Sequence, residues 1–183
     1  MRKFIRGMIP VLMLFTLSKV SAQTQLFIKI IGSDGNMIQG EATIKGHENE
    51  IEAFSYGQDI TNCCGELVGK TTIGKFIANI QLNKASNILK GILIKGLHLK
   101  SVEVTARKSG GSQVDYYKIK MEEVIISQMT EGQPDLTKIP QEQVSFNAAR
   151  IGWTYYPQKN DGSPGTPVKF GWDIKKNIEW SGF

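Results

Sequence analysis

Cysteine and histidine are scarce, with two of each in 183 residues. Two adjacent cysteines, Cys63 and Cys64, cannot staple a disulfide-dense scaffold. The two histidines, His47 and His98, stand alone and fit no metal-ligand spacing, so each reads as an ordinary surface or strand histidine and no cofactor or metal is expected. A Gly-x-Ser-x-Gly elbow, a phosphate loop and a His-Glu-x-x-His run are all missing. The KSGGS stretch at 108–112 has no helix after it and reads as a hairpin turn. Charge of one sign is also lacking. Arg2, Lys3, Arg6 and Lys19 sit in the first 22 residues with no acid beside them; of the 22 basic groups, 18 remain to face 17 acidic ones. A body so close to neutral exerts little long-range pull on a phosphate backbone, which argues against a nucleic-acid partner. No apolar run reaches the roughly 20 residues a membrane-spanning helix needs. What is plentiful is apolar character, 40% of residues, too much for a disordered chain.

Residues 1–22 read as a secretory signal. Arg2, Lys3 and Arg6 form a positive start, Met8 to Leu17 a short apolar run, and Val20-Ser21-Ala22 a small-residue cleavage site. Cleavage between Ala22 and Gln23 is expected. The product is a single domain over 23–183 without stable membrane insertion, secreted to the exterior or held in the periplasm, and cytoplasmic if the signal is unused. A body of this length buries roughly 70% of its unfolded surface.

The body reads as short strands between glycine-rich and polar turns. Gln25 to Ile31 is apolar on both faces, as a buried strand is, and Ser33-Asp34-Gly35-Asn36 is a turn. Glu41 to Lys45 and Ile51 to Tyr56 are further short strands. Gln58 to Thr72 has little periodicity and reads as a long loop, of a length that is usually functional or mobile. Ile73 to Leu82 alternates. Asn87 to Lys95 is the one convincing helix, with Ser86 as its cap, Ile88, Leu89, Ile92 and Leu93 on its apolar side and Gly96 as its stop. Leu97 to Arg107 alternates with a slip near Ser101 that suggests a bulge. Gln113 to Ile126 is a strand; Gln143 to Tyr156 is a strand pair or one long bent strand. Lys159 to Gly162 is a turn, and Val168 to Ile174 closes the fold. This pattern predicts a mainly β protein, an antiparallel barrel or sandwich with one flanking helix.

Candidates for chemistry are few. Glu122, Glu123 and Asp115 could form paired carboxylates, but adjacent strand residues point to opposite faces, so a solvated edge is the expectation. Cys63 and Cys64 could form a strained vicinal bridge, stay free, or bond to another subunit; nothing near them in the sequence lowers a thiol pKa, and no essential role is expected. Tyr116, Tyr117, Trp153, Tyr155, Tyr156 and Trp172 could stack a ligand, but fit a barrel core or subunit interface better.

From Ile44 onward the order of segments resembles the Hcp (haemolysin-coregulated protein) family, the tube protein of bacterial type VI secretion. The matching pieces are IKG at 44–46, EIEAFSYG at 50–57, LNKASNILKGILIKG at 82–96 and VEVTARKSGGSQVDYYKIKMEEVIISQM at 102–129. QVSFNAARIGWTYYPQ at 143–158 and FGWDIKKN at 170–177 follow. The resemblance spans about Gln25 to Asn177.

It implies a β-barrel with a flanking helix that closes into homohexameric rings. These rings stack into a tube inside a sheath, with self, effectors and sheath or spike proteins as partners. It implies a structural subunit whose lumen carries or chaperones effectors, and no enzyme. The family's extended loop maps onto Gln58, Asp59, Ile60, Thr61, Asn62, Cys63, Cys64, Gly65, Glu66, Leu67, Val68, Gly69, Lys70, Thr71 and Thr72, the expected ring-stacking segment. A ring needs two different patches that meet head to tail. The alternative, suggested by the export signal, is an Hcp-like binding protein that holds a small protein or ligand outside the cytoplasm. A small hydrolase is disfavoured, because no nucleophile–base pair is visible.

Overall fold

The computed structural model describes residues 24–62, 71–109, 113–133, 135 and 138–183. Residues 1–22, expected to be a leader, and the expected cleavage junction Ala22–Gln23 lie outside them. The described residues form nine strands and one helix: β1 Thr24–Gly32, β2 Met37–Ile38, β3 Ile51–Asn62, β4 Thr71–Gln81, α1 Ser86–Lys95, β5 His98–Lys108, β6 Asp115–Gly132, β7 Gln141–Tyr155, β8 Val168–Asp173 and β9 Ile178–Glu179. All pairings between these strands are antiparallel.

The sheet runs β4-β3-β1-β5-β6-β7, and β4 pairs back to β7, so six strands close into a barrel. The inward residues fill it: Ile28 and Ile30 of β1, Val102 and Val104 of β5, Ile119 and Met121 of β6, and Val144, Phe146 and Ile151 of β7, all at most 2% exposed. Closure hides edges that would otherwise seek other strands.

β7 has two successive neighbours on one side. Gln141 to Phe146 pair with β4, and Arg150 to Tyr155 pair with β8. The barrel is therefore shut along one half of β7 and splayed along the other, where β8 and β9 continue the sheet. A cavity of about 270 Å³ lies in the fork, lined by Ile73, Phe76, Phe146, Ala148, Ile151 and Ile174 among others.

The helix sits against β6 and buries Leu89 completely. Its cap is Ala85, not the expected Ser86 side chain; buried Ser86 Oγ instead accepts from the Asn83 N–H at 3.0 Å, and Asn83 Oδ1 accepts from the Ala85 N–H. Gly96 ends the helix at φ 62, with its N–H on the Leu93 carbonyl and the Leu97 N–H on the Ile92 carbonyl, a Schellman closure. Ile88, expected on the packed side, is half exposed.

Other sequence expectations shift. Glu41 to Lys45 is not a strand; residues 39–50 form a turn-rich cover held by paired backbone bonds between Ala42 and both Asn49 and Glu50. That cover explains why β1 is apolar on both faces: Ile28 and Ile30 face the barrel, while Phe27 points outward beneath His47. The bulge expected near Ser101 is present, since Ile31 pairs with Ser101 and Gly32 with Leu99. β7 is one long strand.

Candidate functional site

The first notable feature is an arm. β3 pairs with β1 only at Ile51, Glu52 and Ala53, and β4 pairs with β7 only from Phe76 onward. Beyond those points the two strands pair with each other alone among the described residues, through Asn62 and Thr71. The segment expected to be a loop therefore consists, where described, of strand: Gln58 to Asn62 belong to β3, and Thr71 and Thr72 to β4. Cys63 to Lys70 lie outside the described residues. The reason for the misreading is physical. Strand alternation records which face is packed, and beyond Gln58 the described residues of this segment, 59–62 and 71–72, are exposed on both faces, so the ladder persists without its signature. The arm exposes Phe54, Tyr56 and Ile60. Tyr56 stacks on Phe76 at 5.3 Å, and Gln58 Oε1 accepts from Trp153 Nε1 at 3.3 Å, which anchors its base to β7.

The second feature faces that arm. Trp153, Phe170 and Trp172 stack in sequence, at 6.1 Å and 7° for the first pair and 6.3 Å and 22° for the second. Tyr155 and Val168, the next cross-strand pair, are both exposed. These residues extend the inner face of β7 past the fork, where β4 no longer covers it. Of the aromatics singled out in the sequence, Tyr117 and Trp153 pack on the core edge, while Tyr155 and Trp172 join this partly uncovered surface. An exposed apolar surface of this kind on a β-sheet suits contact with another chain.

Three charged clusters brace the barrel. His47 is not a surface histidine: it is 4% exposed, stacks on Phe27 at 4.3 Å and 5°, and faces two carboxylates. Its Nδ1 lies 2.8 Å from Glu50 Oε2 and its Nε2 lies 3.1 Å from Asp115 Oδ1. Arg107 and Lys118 approach Asp115 at 3.6 Å, and Arg107 Nη1 donates to the Lys45 carbonyl. Burial pushes the Glu50 carboxyl up, against the opposing pull of His47. His98, by contrast, is exposed at the start of β5.

Glu122 and Glu123 also depart from expectation. Both reach one guanidinium: Arg150 Nε lies 3.2 Å from Glu122, and Arg150 Nη2 lies 2.8 Å from Glu123. Glu123 has φ 50, a left-handed conformation inside β6 that breaks the usual alternation and brings both side chains to one cation. Lys175 adds a second cation to Glu123 at 3.0 Å, and these partners hold its carboxyl below the ordinary range. Asp115 is remote from the pair and belongs to the His47 cluster. The third cluster ties α1 to the barrel: Lys90 pairs with Glu131 of β6 and Glu142 of β7, and both carboxylates raise its pKa, Glu131 the more.

These arrangements are suited to bracing and contact. Both ring nitrogens of His47 are taken by carboxylates, so neither is placed to take a proton from a nucleophile. Among the described residues, no group of three His, Cys, Asp or Glu side chains could hold a metal ion, and no helix is long and apolar enough to cross a membrane.

The comparisons with known proteins agree with this architecture. A family model described as "Type VI secretion system effector, Hcp" matches residues 27–155. The chain is 32% identical over 162 residues to protein hcp1 of Pseudomonas aeruginosa, covering 84% of this chain and 97% of that one. Among solved structures, one of a type six secretion system protein superposes with a TM-score of 0.78 at 20% identity, over 86% of this chain and all of the other. Hcp1 of Salmonella typhimurium superposes at 0.70 with 24% identity, over 87% and 100%. A type VI secretion system effector of Yersinia pestis superposes at 0.66 with 25% identity, over 81% and 99%.

Proposed function

The chain belongs to the Hcp family, the secreted tube proteins of type VI secretion, and on that premise we propose that it acts by assembling copies of itself into stacked rings. The observation that carries this reading is the joint presence of a closed barrel, an arm that leaves it, and an uncovered aromatic face beside the arm. The barrel hides most strand edges, while the arm and the far edge of β8 offer the unlike contacts that a head-to-tail ring requires. The arm is the ring-stacking element, as expected from the resemblance for Gln58 to Thr72, of which 58–62 and 71–72 are described. Residues 1–22 serve as a leader removed after Ala22. The ring lumen holds effectors, and sheath or spike proteins are further partners.

The test is negative-stain microscopy and sizing of the exported protein and of a variant in which residues 59–73 are replaced by a two-residue turn. Rings that stack for the parent chain, and rings that fail to stack for the variant, support the reading. Stacking that survives loss of the arm removes the arm's role. A parent chain that stays monomeric at high concentration while carrying a bound partner favours an exported binding protein instead. Amino-terminal sequencing that finds Gln23 supports cleavage, and an intact Met1 overturns it.

A further inference from the structure

On the outer face of the splayed sheet, Lys120 of β6, Gly152 of β7 and Gly171 of β8 lie in one cross-strand row. Two paired glycines leave a notch in a surface that side chains otherwise fill. The phenyl ring of Phe183 occupies it. A Cβ on Gly152 would come within 2.5 Å of that ring, and a Cβ on Gly171 would also collide with it. Alanine at either position would therefore expel the ring or force the strands to shift.

The segment that delivers Phe183 is held at residues 178–180 and again at 182–183. β9 contributes two residues, paired with Trp172 and Asp173, and the Trp180 N–H donates to the Gly171 carbonyl at 3.0 Å. Lys169 Nζ donates to the Phe183 carbonyl at 2.7 Å and lies 5.4 Å from its ring centre; Lys120 Nζ donates to the Gly182 carbonyl at 3.3 Å. Trp180 packs on Phe183 at 5.0 Å, beneath Lys120 at 5.9 Å and Arg150 at 6.0 Å. A cavity of about 240 Å³ remains between this segment and β8, lined by Lys169, Phe170, Glu179 and Trp180 among others. Side-chain anchors in a notch and cations on main-chain carbonyls are how a groove holds a peptide ligand.

We propose that the Gly152–Gly171 notch is a recognition site for a Trp-x-x-Phe peptide segment, filled in the solitary subunit by the chain's own residues 180–183. The segment is thus a detachable strap. Bound, it extends the cover that β9 gives the outer edge of β8 as far as Gly171; released, it leaves Gly171 and the notch open. The ring is the anchor, Lys169 and Lys120 read the backbone, and Trp180 reads the cationic rim.

Hydrogen exchange of the full chain and its variants tests this. In Phe183→Ala, the Trp180 amide should exchange about tenfold faster or more, while amides of β1 and β5 keep their protection, as a locally detached segment requires. A synthetic peptide of residues 178–183 added to Phe183→Ala should restore protection along β8, and should not bind the parent chain, whose notch is filled. Gly152→Ala should speed the same Trp180 amide, and combining it with Phe183→Ala should add little, since the ring it displaces is already gone. Loss of protection throughout the barrel in both single variants would show the segment to be part of the core and overturn the strap. An unchanged Trp180 amide, or a peptide that fails to bind Phe183→Ala, would overturn the recognition site.

Discussion

Lys90 Nζ lies 2.9 Å from Oε1 of Glu142, a carboxylate whose side chain is 1% exposed. Among the described residues neither Glu142 oxygen receives a well-directed hydrogen bond, and Lys90 is the cation paired with it. Removing Lys90 strands a buried anion. Lys90→Met is expected to lower stability by about 3 kcal/mol, the low end of breaking a buried pair, because Lys90 is itself a third exposed. The double change to Lys90→Met and Glu142→Leu should recover most of that loss, as measured by urea unfolding. A double variant as weak as the single one would contradict this account.

The His47 cluster gives a pH prediction. Burial raises the folded-state pKa of Glu50 above the usual 4.5. The folded state therefore binds this proton more tightly than the unfolded chain. The contribution is fully present below the unfolded value and is lost as pH rises through the folded one. The parent chain should lose thermal stability relative to Glu50→Gln as pH rises from 4.5 toward neutrality. Melting curves of both proteins across that interval check the sign; a parent chain that gains stability relative to Glu50→Gln as pH rises would refute it.

Glu123 occupies φ 50 within a strand, a region that suits glycine and penalises β-branched side chains. Glu123→Val should lower the denaturation midpoint clearly more than Glu123→Gly, although both lose the same two cations. Equal midpoints would mean that backbone conformation is not what sets the preference here.

Two residues of α1 should behave oppositely. Leu89 is fully buried and Ile94 is 83% exposed. Leu89→Ala should cost about 2–5 kcal/mol, and Ile94→Ala should stay within about 0.5 kcal/mol. If Ile94→Ala instead reduces assembly without changing subunit stability, the exposed face of α1 is a subunit contact.

What could be read in the chain before its structure depended on range. The helix and its Gly96 stop, the turn at 33–36 and the strands that line the barrel announce themselves in consecutive residues, because packing on one face imprints a period. The outer part of the arm did not, since its described residues 59–62 and 71–72 are exposed on both faces. His47 and Asp115 are 68 positions apart, and no local pattern links them; only the apolar excess of β1, with Phe27 on its outer side, hinted that something must cover it. Glu122 and Glu123 misled because the alternation rule presumes ordinary strand geometry, which Glu123 lacks. The Gly152 and Gly171 pair was visible as two glycines in strand-like segments, a sign of close approach, but their alignment appears only once register is known.

The double use of one edge of β7 carries a cost for any change in length. Asn147 to Ala149 separate the half that seals the cylinder from the half that bears β8. Deleting a single residue there would leave the seal intact yet rotate everything beyond it by half a turn. Trp153 and Tyr155 would then swing to the outside, and the floor of glycine under Phe183 would be replaced by bulky rings. The three-residue hinge is thus the place where the molecule's length is least negotiable.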